Sequence, residues 1–178
     1  MSNHQHSIII RDARLRDAAA IAHVRVAAWR IGYRGLIPDS YLDRPDFEDL
    51  EALHLHAALR DITDEVRISV AEVAGQIVGY CAYGACGDAS SQPSQGGIYD
   101  LFVHPEAWHC GVGRKLVTYA TEHFSAQGFA AASLYVYEAN TRGRAFYQHA
   151  GWEADGQREI EERGEFALPV LRYRKVFS

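Results

Sequence analysis

The sequence predicts a single α/β domain of three layers (α+β in layer terms), with a mixed sheet of about seven strands and helices on both faces. Three observations predict it. Strand-like and helix-like runs follow one another in the order β-α-α-β-β-β-α-β-α-β-β. The 178 residues fill one ordinary domain and leave no room for two. Finally, 48% of them are hydrophobic and 11% aromatic, and a chain of this length buries about 70% of its unfolded surface.

Each element has a local cause. Residues 7–11 open with an isoleucine run, a short strand. From Asp17 the pattern turns helical, with Ile21, Val24, Ala28 and Ile31 spaced by three and four. Asp17 lies near the helix start, where the backbone dipole favours an anion. Gly32 and Gly35 loosen the chain, and Pro38 opens another helix. A second helical region covers 47–59. Residues 67–73 and 76–83 are β-rich and joined by Ala74-Gly75, a hairpin signal. The stretch 87–97 has a loop composition and reads as a mobile connection. Residues 98–103 form the next strand. Over 111–126, Val112, Leu116, Ala120 and Phe124 make one helical stripe. A strand at 130–137 follows. A helix at 141–150 has Asn140 or Thr141 as its cap and Gly151 as its stop. Strands at 152–161 and 168–176 close the chain.

Composition narrows the partners. Charged residues make up 23%, an ordinary share that excludes a disordered chain. Lys plus Arg number 18 against 23 Asp plus Glu, a formal charge of −5. No basic excess exists to neutralise phosphate backbones, so no nucleic acid is expected as a partner. A mildly acidic surface is more compatible with a cationic small substrate. Three cysteines, Cys81, Cys86 and Cys110, make no disulfide framework and fit a reducing compartment. No apolar run approaches the length of a membrane helix, so no membrane is expected. Residues 1–7, with His4 and His6, read as a flexible polar tail without the pattern of a secretory signal. The expected location is cytoplasmic. His54 and His56 stand two apart, do not share a helical face and predict no metal site.

The informative stretch is Val103-His104-Pro105-Glu106-Ala107-Trp108-His109-Cys110-Gly111-Val112-Gly113-Arg114. A β-run ends, and a glycine-bearing turn opens an amphipathic helix. The first N–H groups of a helix have no intrahelical acceptor and carry partial positive charge, so they form an anion site. Gly111 and Gly113 lack a Cβ, which lets a phosphate approach the backbone. The same glycines could equally serve only to shape the turn. The pattern is neither a P-loop nor a dinucleotide fingerprint, since the Gly-Lys-Ser/Thr ending and a third glycine are missing.

Residues 103–114, followed by Leu116, resemble the acyl-CoA signature of the GNAT N-acetyltransferase superfamily, Gln/Arg-x-x-Gly-x-Gly/Ala. Ile77-Val78-Gly79-Tyr80 resembles its preceding strand. Residues 140–152 resemble its Asn-x-x-Ala-x-x-Phe-Tyr-x-x-x-Gly-Phe segment, and residues 29–38 the first helix and loop of many bacterial members. The resemblance covers about residues 8–176 and implies a splayed sheet in one acyl-CoA N-acyltransferase domain. It also implies acetyl-CoA as cosubstrate, no metal, a small-molecule amine as acceptor, and a homodimer by family habit. Its pantetheine arm is expected between the strands at 98–103 and 130–137, on backbone groups of Leu101, Phe102 and Val103. Its pyrophosphate is expected on Trp108, His109, Cys110, Gly111, Val112, Gly113 and Arg114. Asn140, Arg144 and Tyr147 match residues at the cofactor's inner end. Trp29 and Tyr33, four apart on one helical face, either line an acceptor pocket or simply pack.

Two positions depart from the family pattern. Trp108 replaces the usual Gln or Arg. Gly97 stands where many relatives carry a Glu that serves as base, which leaves Asp100 as the only carboxylate of that strand. Strict alternation places Asp100 on the face opposite residues 97, 99 and 101, and Tyr99 on the face of Leu101, where it could hold a relay water. The catalytic candidates are therefore Tyr147 for the leaving thiolate, the Leu101 N–H for the oxyanion, and Asp100 or Tyr99 for the proton. Cys110 has no evident partner for nucleophilic catalysis. Other readings remain open at this point: a protein N-terminal or lysine acetyltransferase, a non-catalytic acyl-CoA-binding sensor, and a structural interaction module.

Overall fold

The computed structural model describes residues 7–63, 65–86 and 95–177. The tail expected at residues 1–6 and most of the connection expected at 87–97 lie outside these. The elements are β1 (Ile9–Asp12), α1 (Ala18–Gly32), α2 (Asp39–Leu42), α3 (Phe47–Arg60), β2 (Val66–Val73), β3 (Gln76–Ala85), β4 (Gln95–Val103), α4 (Val112–Ala126), β5 (Ala131–Tyr137), α5 (Thr141–His149), β6 (Glu153–Arg163) and β7 (Phe166–Val176). Two 3-10 turns, Leu15–Asp17 and Pro105–Ala107, had no signal in the hydrophobic period. Among the described residues, no helix is long and apolar enough to cross a membrane.

One seven-stranded sheet has the order β1-β2-β3-β4-β5-β7-β6. Every neighbouring pair is antiparallel except β4 and β5. The β2–β3 hairpin turns at Ala74-Gly75, with φ of 51° and 80°. Two left-handed residues suit the twist of a tight hairpin, and alanine accepts that conformation at a cost. Asp17 departs from its expected dipole role. Its carboxylate makes no cap bond to α1. It accepts instead from the Arg11 guanidinium at 2.7 and 3.2 Å and from the Arg14 N–H at 2.7 Å.

Cores lie on both faces. Leu116, Ala120 and Phe124 of α4 are fully buried against β3, β4 and β5, together with Trp152 and Tyr173. On the other face, Ile21, Ala22 and Val24 of α1 pack with Leu55 and Leu59 of α3 onto Val70 and Tyr80. Burying each large apolar side chain contributes about 1.5–3 kcal/mol, which fixes both helices to the sheet. A third cluster joins Trp29, Phe47, Tyr137 and Val170 at the end of α1.

The parallel contact positions the site. β4 and β5 pair only from Gln95–Ile98 to Ala131–Leu134. Beyond that the strands diverge, and Tyr99 to Val103 have lost one neighbour.

Candidate active site

The gap between β4 and β5 opens into a cleft of about 780 Å³, within the size range of small-molecule sites. Its walls are residues 98–103, the turn and helix start at 107–109 and 111–114, the end of β5, the start of α5, the end of α1, and Glu161 and Arg163 of β6.

The peptide groups aimed into this gap follow from the ladder. The His104 N–H donates to the Val78 carbonyl at 2.8 Å, and Gly79 faces Val103. In an antiparallel pair that arrangement turns the N–H and C=O of Val103 away from β3. Alternation does the same for Leu101, which faces Cys81. With β5 gone, Leu101 presents its N–H and C=O to the cleft and Val103 its N–H, while the Val103 carbonyl is taken by the Trp108 indole. The peptide groups of Phe102, by contrast, point to Tyr80 of β3. Its expected backbone role is thereby corrected: Phe102 contributes a ring, packed at 6.2 Å from Trp29 and 5.9 Å from Tyr80.

The turn before α4 supplies donors. Among the described residues, no amide from His109 to Arg114 donates to a backbone carbonyl. Gly111 has φ of 84°, and a Cβ built there would meet nothing within 4 Å. His109 adopts the same left-handed sign, at 63°. Together they point consecutive N–H groups outward at a helix N-terminus, a donor set that fits a diphosphate. Trp108 does not use its indole there; its Nε1–H donates to the Val103 carbonyl at 2.7 Å. The Cys110 thiol turns to the Trp108 carbonyl, outside the cleft.

The face assignment of Asp100 is overturned. Ala82 faces Asp100 while Tyr83 faces Ile98, so Tyr99 is an extra residue, a β-bulge. Ile98 and Leu101, three apart, both pack on the α4 core. A Cβ on Gly96 would meet Phe124 on that same side, whereas one on Gly97 would meet the Tyr99 ring. The bulge therefore brings Asp100 to the α1 face that Gly97 also addresses. There its carboxylate accepts from Arg25 at 3.2 Å and from the Tyr80 hydroxyl at 3.3 Å. Burial raises its pKa above the ordinary carboxylate value, and the opposing pull of Arg25 does not cancel that. Tyr99 is not on the Leu101 face, and its hydroxyl donates to the Ala85 carbonyl.

At α5, the Asn140 side chain accepts from the Gly143 N–H at 2.9 Å, so it caps the helix while lining the cleft. Arg144 is corrected. Its guanidinium donates to the Glu138 carbonyl at 3.0 Å and to the Tyr173 hydroxyl at 3.3 Å, and it is no part of the cleft wall. Tyr147 is 9% exposed, lines the cleft and packs on Phe146 and Trp152. Burial raises its pKa well above the ordinary phenol value. Trp29 and Tyr33 both line the cleft and also pack, with ring centroids 5.2 Å apart. Tyr33 reaches Tyr137 at 5.3 Å.

Glu161, Arg163 and Arg142 are site residues that the sequence reading missed. Glu161 and Arg163 are paired and stand two apart on one face of β6, just before the Gly164 turn. That spacing was readable, but Glu159 and Glu162 beside them obscured it. Arg142 lay inside a matched segment at a variable position.

Comparison with known proteins agrees with this geometry. Residues 30–152 match the model of the acetyltransferase (GNAT) family. The chain is 30% identical over 146 residues to the uncharacterized N-acetyltransferase YhfO of Bacillus subtilis, covering 82% of this chain and 90% of that protein. It is 26% identical to YuaI of the same organism, covering 79% of this chain and 78% of that protein. The PaiA N-acetyltransferase of Thermoplasma acidophilum, solved in complex with coenzyme A, superposes with a TM-score of 0.73 at 18% identity, covering 96% of this chain and 99% of that one. A GCN5-related N-acetyltransferase from Rhodopseudomonas palustris gives 0.75 at 18%, covering 99% and 100%. The superpositions show the same fold, a sheet splayed around a cleft. The chain belongs to the GNAT acetyltransferase family and is an acetyltransferase.

Proposed function

We propose that the protein transfers an acetyl group from acetyl-CoA to the primary amine of a small molecule, by direct attack with both substrates bound. One observation carries this reading. The free peptide groups of Leu101 and the free N–H of Val103 adjoin the free amides of 109–114 on one side of the gap, and Asp100 faces the other side.

The amides of 110–114 hold the pyrophosphate. Backbone groups of Leu101 and Val103 bind the pantetheine arm as a surrogate strand beside β4. The Leu101 N–H holds the negative oxygen that develops on the thioester carbonyl, a donor worth about 2.7–4 kcal/mol. An alkyl ammonium of pKa ~10.4 leaves roughly one amine in 2,500 neutral at pH 7, a deficit of about 4–5 kcal/mol. Asp100, made more basic by burial, accepts that proton directly or through water. Tyr147 holds its proton more tightly than a thiol of pKa ~8.5 does, so it stabilises the leaving thiolate chiefly by hydrogen bonding. Trp29, Tyr33 and Tyr137 wall the acceptor side. Alignment of the two reactants supplies the remaining large contribution.

Release of coenzyme A thiol from acetyl-CoA tests the reading. Thiol release that requires an added small primary amine is expected. Release only with protein N-termini or lysines would move the assignment to a protein acetyltransferase.

A further inference from the structure

Arg142 extends from the first turn of α5 toward the end of α1. Its guanidinium stacks over the Trp108 ring at 3.5 Å from the centroid. The indole is itself fixed by its bond to the Val103 carbonyl. Arg142 Nη2 comes so close to α1 that a Cβ on Gly32 would lie 2.7 Å from it. Among the described residues Arg142 forms no ion pair with a carboxylate, and burial lowers its pKa. The other guanidinium groups around the acceptor side are paired, Arg25 with Asp100 and Glu51 and Arg163 with Glu161. Arg142 therefore enters the cleft as a cation with a rigid support and an unused fork. A planar fork of this kind matches a carboxylate through two parallel bonds. Gly32 of the acceptor side lies beside the Arg142 guanidinium, and Trp108 of the turn before α4 lies beneath it.

The local charge pattern thus leaves an unpaired cation although the whole chain is acidic. Asp100 and Glu161 line the cleft as carboxylates already paired with Arg25 and Arg163, which leaves Arg142 as a cation of the wall without a carboxylate partner among the described residues. We infer that the acceptor is an amine that also carries a carboxylate, an amino acid in chemical class, with Arg142 receiving the carboxylate. This rests on the amine-acetylation reading above. Gly32 belongs to the same device, because any larger residue would displace the guanidinium.

The test is a panel of common amino acids, their methyl esters and their decarboxylated amines, assayed for thiol release from acetyl-CoA. The ester has the more acidic ammonium, so a preference for the free acid cannot come from amine basicity. The best amino acid is expected to exceed its ester and its amine by about 10- to 100-fold in kcat/KM, the scale of a hydrogen-bonded charge pair. Arg142→Gln and, independently, Gly32→Ala are expected to remove that preference while leaving the KM for acetyl-CoA in place. Equal use of acid, ester and amine by the unmodified protein would overturn the inference. So would an Arg142→Gln protein with an unchanged acceptor preference and a raised KM for acetyl-CoA, which would assign the guanidinium to the phosphates. Turnover that ignores the carboxylate sinks this inference alone. No turnover with any amine, while acetyl-CoA still raises the melting temperature, sinks the small-amine reading as well.

Discussion

Asp100 and Tyr147 divide the proton chemistry by environment. Burial makes the Asp100 carboxylate harder to ionise, so its pKa in the folded protein lies above 3.8. Activity that needs the ionised form is then lost as pH falls through that raised value and recovered above it. Asp100→Asn is expected to lower kcat/KM about 100-fold and to abolish this acid limb. A variant that keeps both rate and limb would exclude Asp100 as the proton acceptor. The raised pKa of Tyr147 keeps its hydroxyl protonated across the working range. Tyr147→Phe should therefore lower kcat by about 10- to 100-fold with little effect on acetyl-CoA affinity, and an unchanged kcat would remove its role at the thiolate. Tyr147 was legible because it stands inside a matched segment. The face of Asp100 was not. Alternation predicts a face only while each residue has one partner, and the extra residue Tyr99 exists only through the register of β3 on β4. Arg144 failed for a related reason: its partners, Glu138 and Tyr173, are brought to it by other strands.

At the scale of elements, local chemistry settled most of the outcome. The stripe Val112, Leu116, Ala120 and Phe124 is buried as its period requires. The Asn140 cap and the Ala74-Gly75 turn also formed where turn chemistry placed them. Strand ends shifted by a few residues, as at β4, which begins at Gln95, because pairing with a neighbour extends a strand beyond its own β-rich run. The hairpin carries a correctable strain, since Ala74 has φ of 51°. Ala74→Asn should stabilise the fold by about 1 kcal/mol, the scale of the left-handed penalty, and raise Tm by about 2–4 °C. A lower Tm would mean that the methyl group of Ala74 contributes packing that outweighs the backbone cost. The 3-10 turn Pro105–Ala107 and the bend at His109 had no periodic signature, yet they aim the amides of the α4 start.

The whole molecule is organised by one interruption. Five of the six neighbouring strand pairs run antiparallel along a ladder, while β4 and β5 part after Ile98 and Leu134. That parting leaves the peptide groups of Leu101 and the N–H of Val103 without strand partners, opens the cleft between two cores, and lets α1, α5 and β6 contribute side chains from three directions. The splay was expected from resemblance to a family and from no property of composition or period. A strand reads the same whether its neighbour stays or leaves. The acceptor wall was the least legible part, since Glu161, Arg163 and Arg142 meet only through tertiary packing. The most direct test is a crystal structure with coenzyme A, paired with acetyl-CoA binding by Gly111→Glu. The account predicts diphosphate oxygens on the N–H groups of 110–114, the sulfur in the gap between β4 and β5 beside Tyr147, and no binding by the variant. Coenzyme A absent from that turn, or bound with equal affinity by the variant, would contradict it.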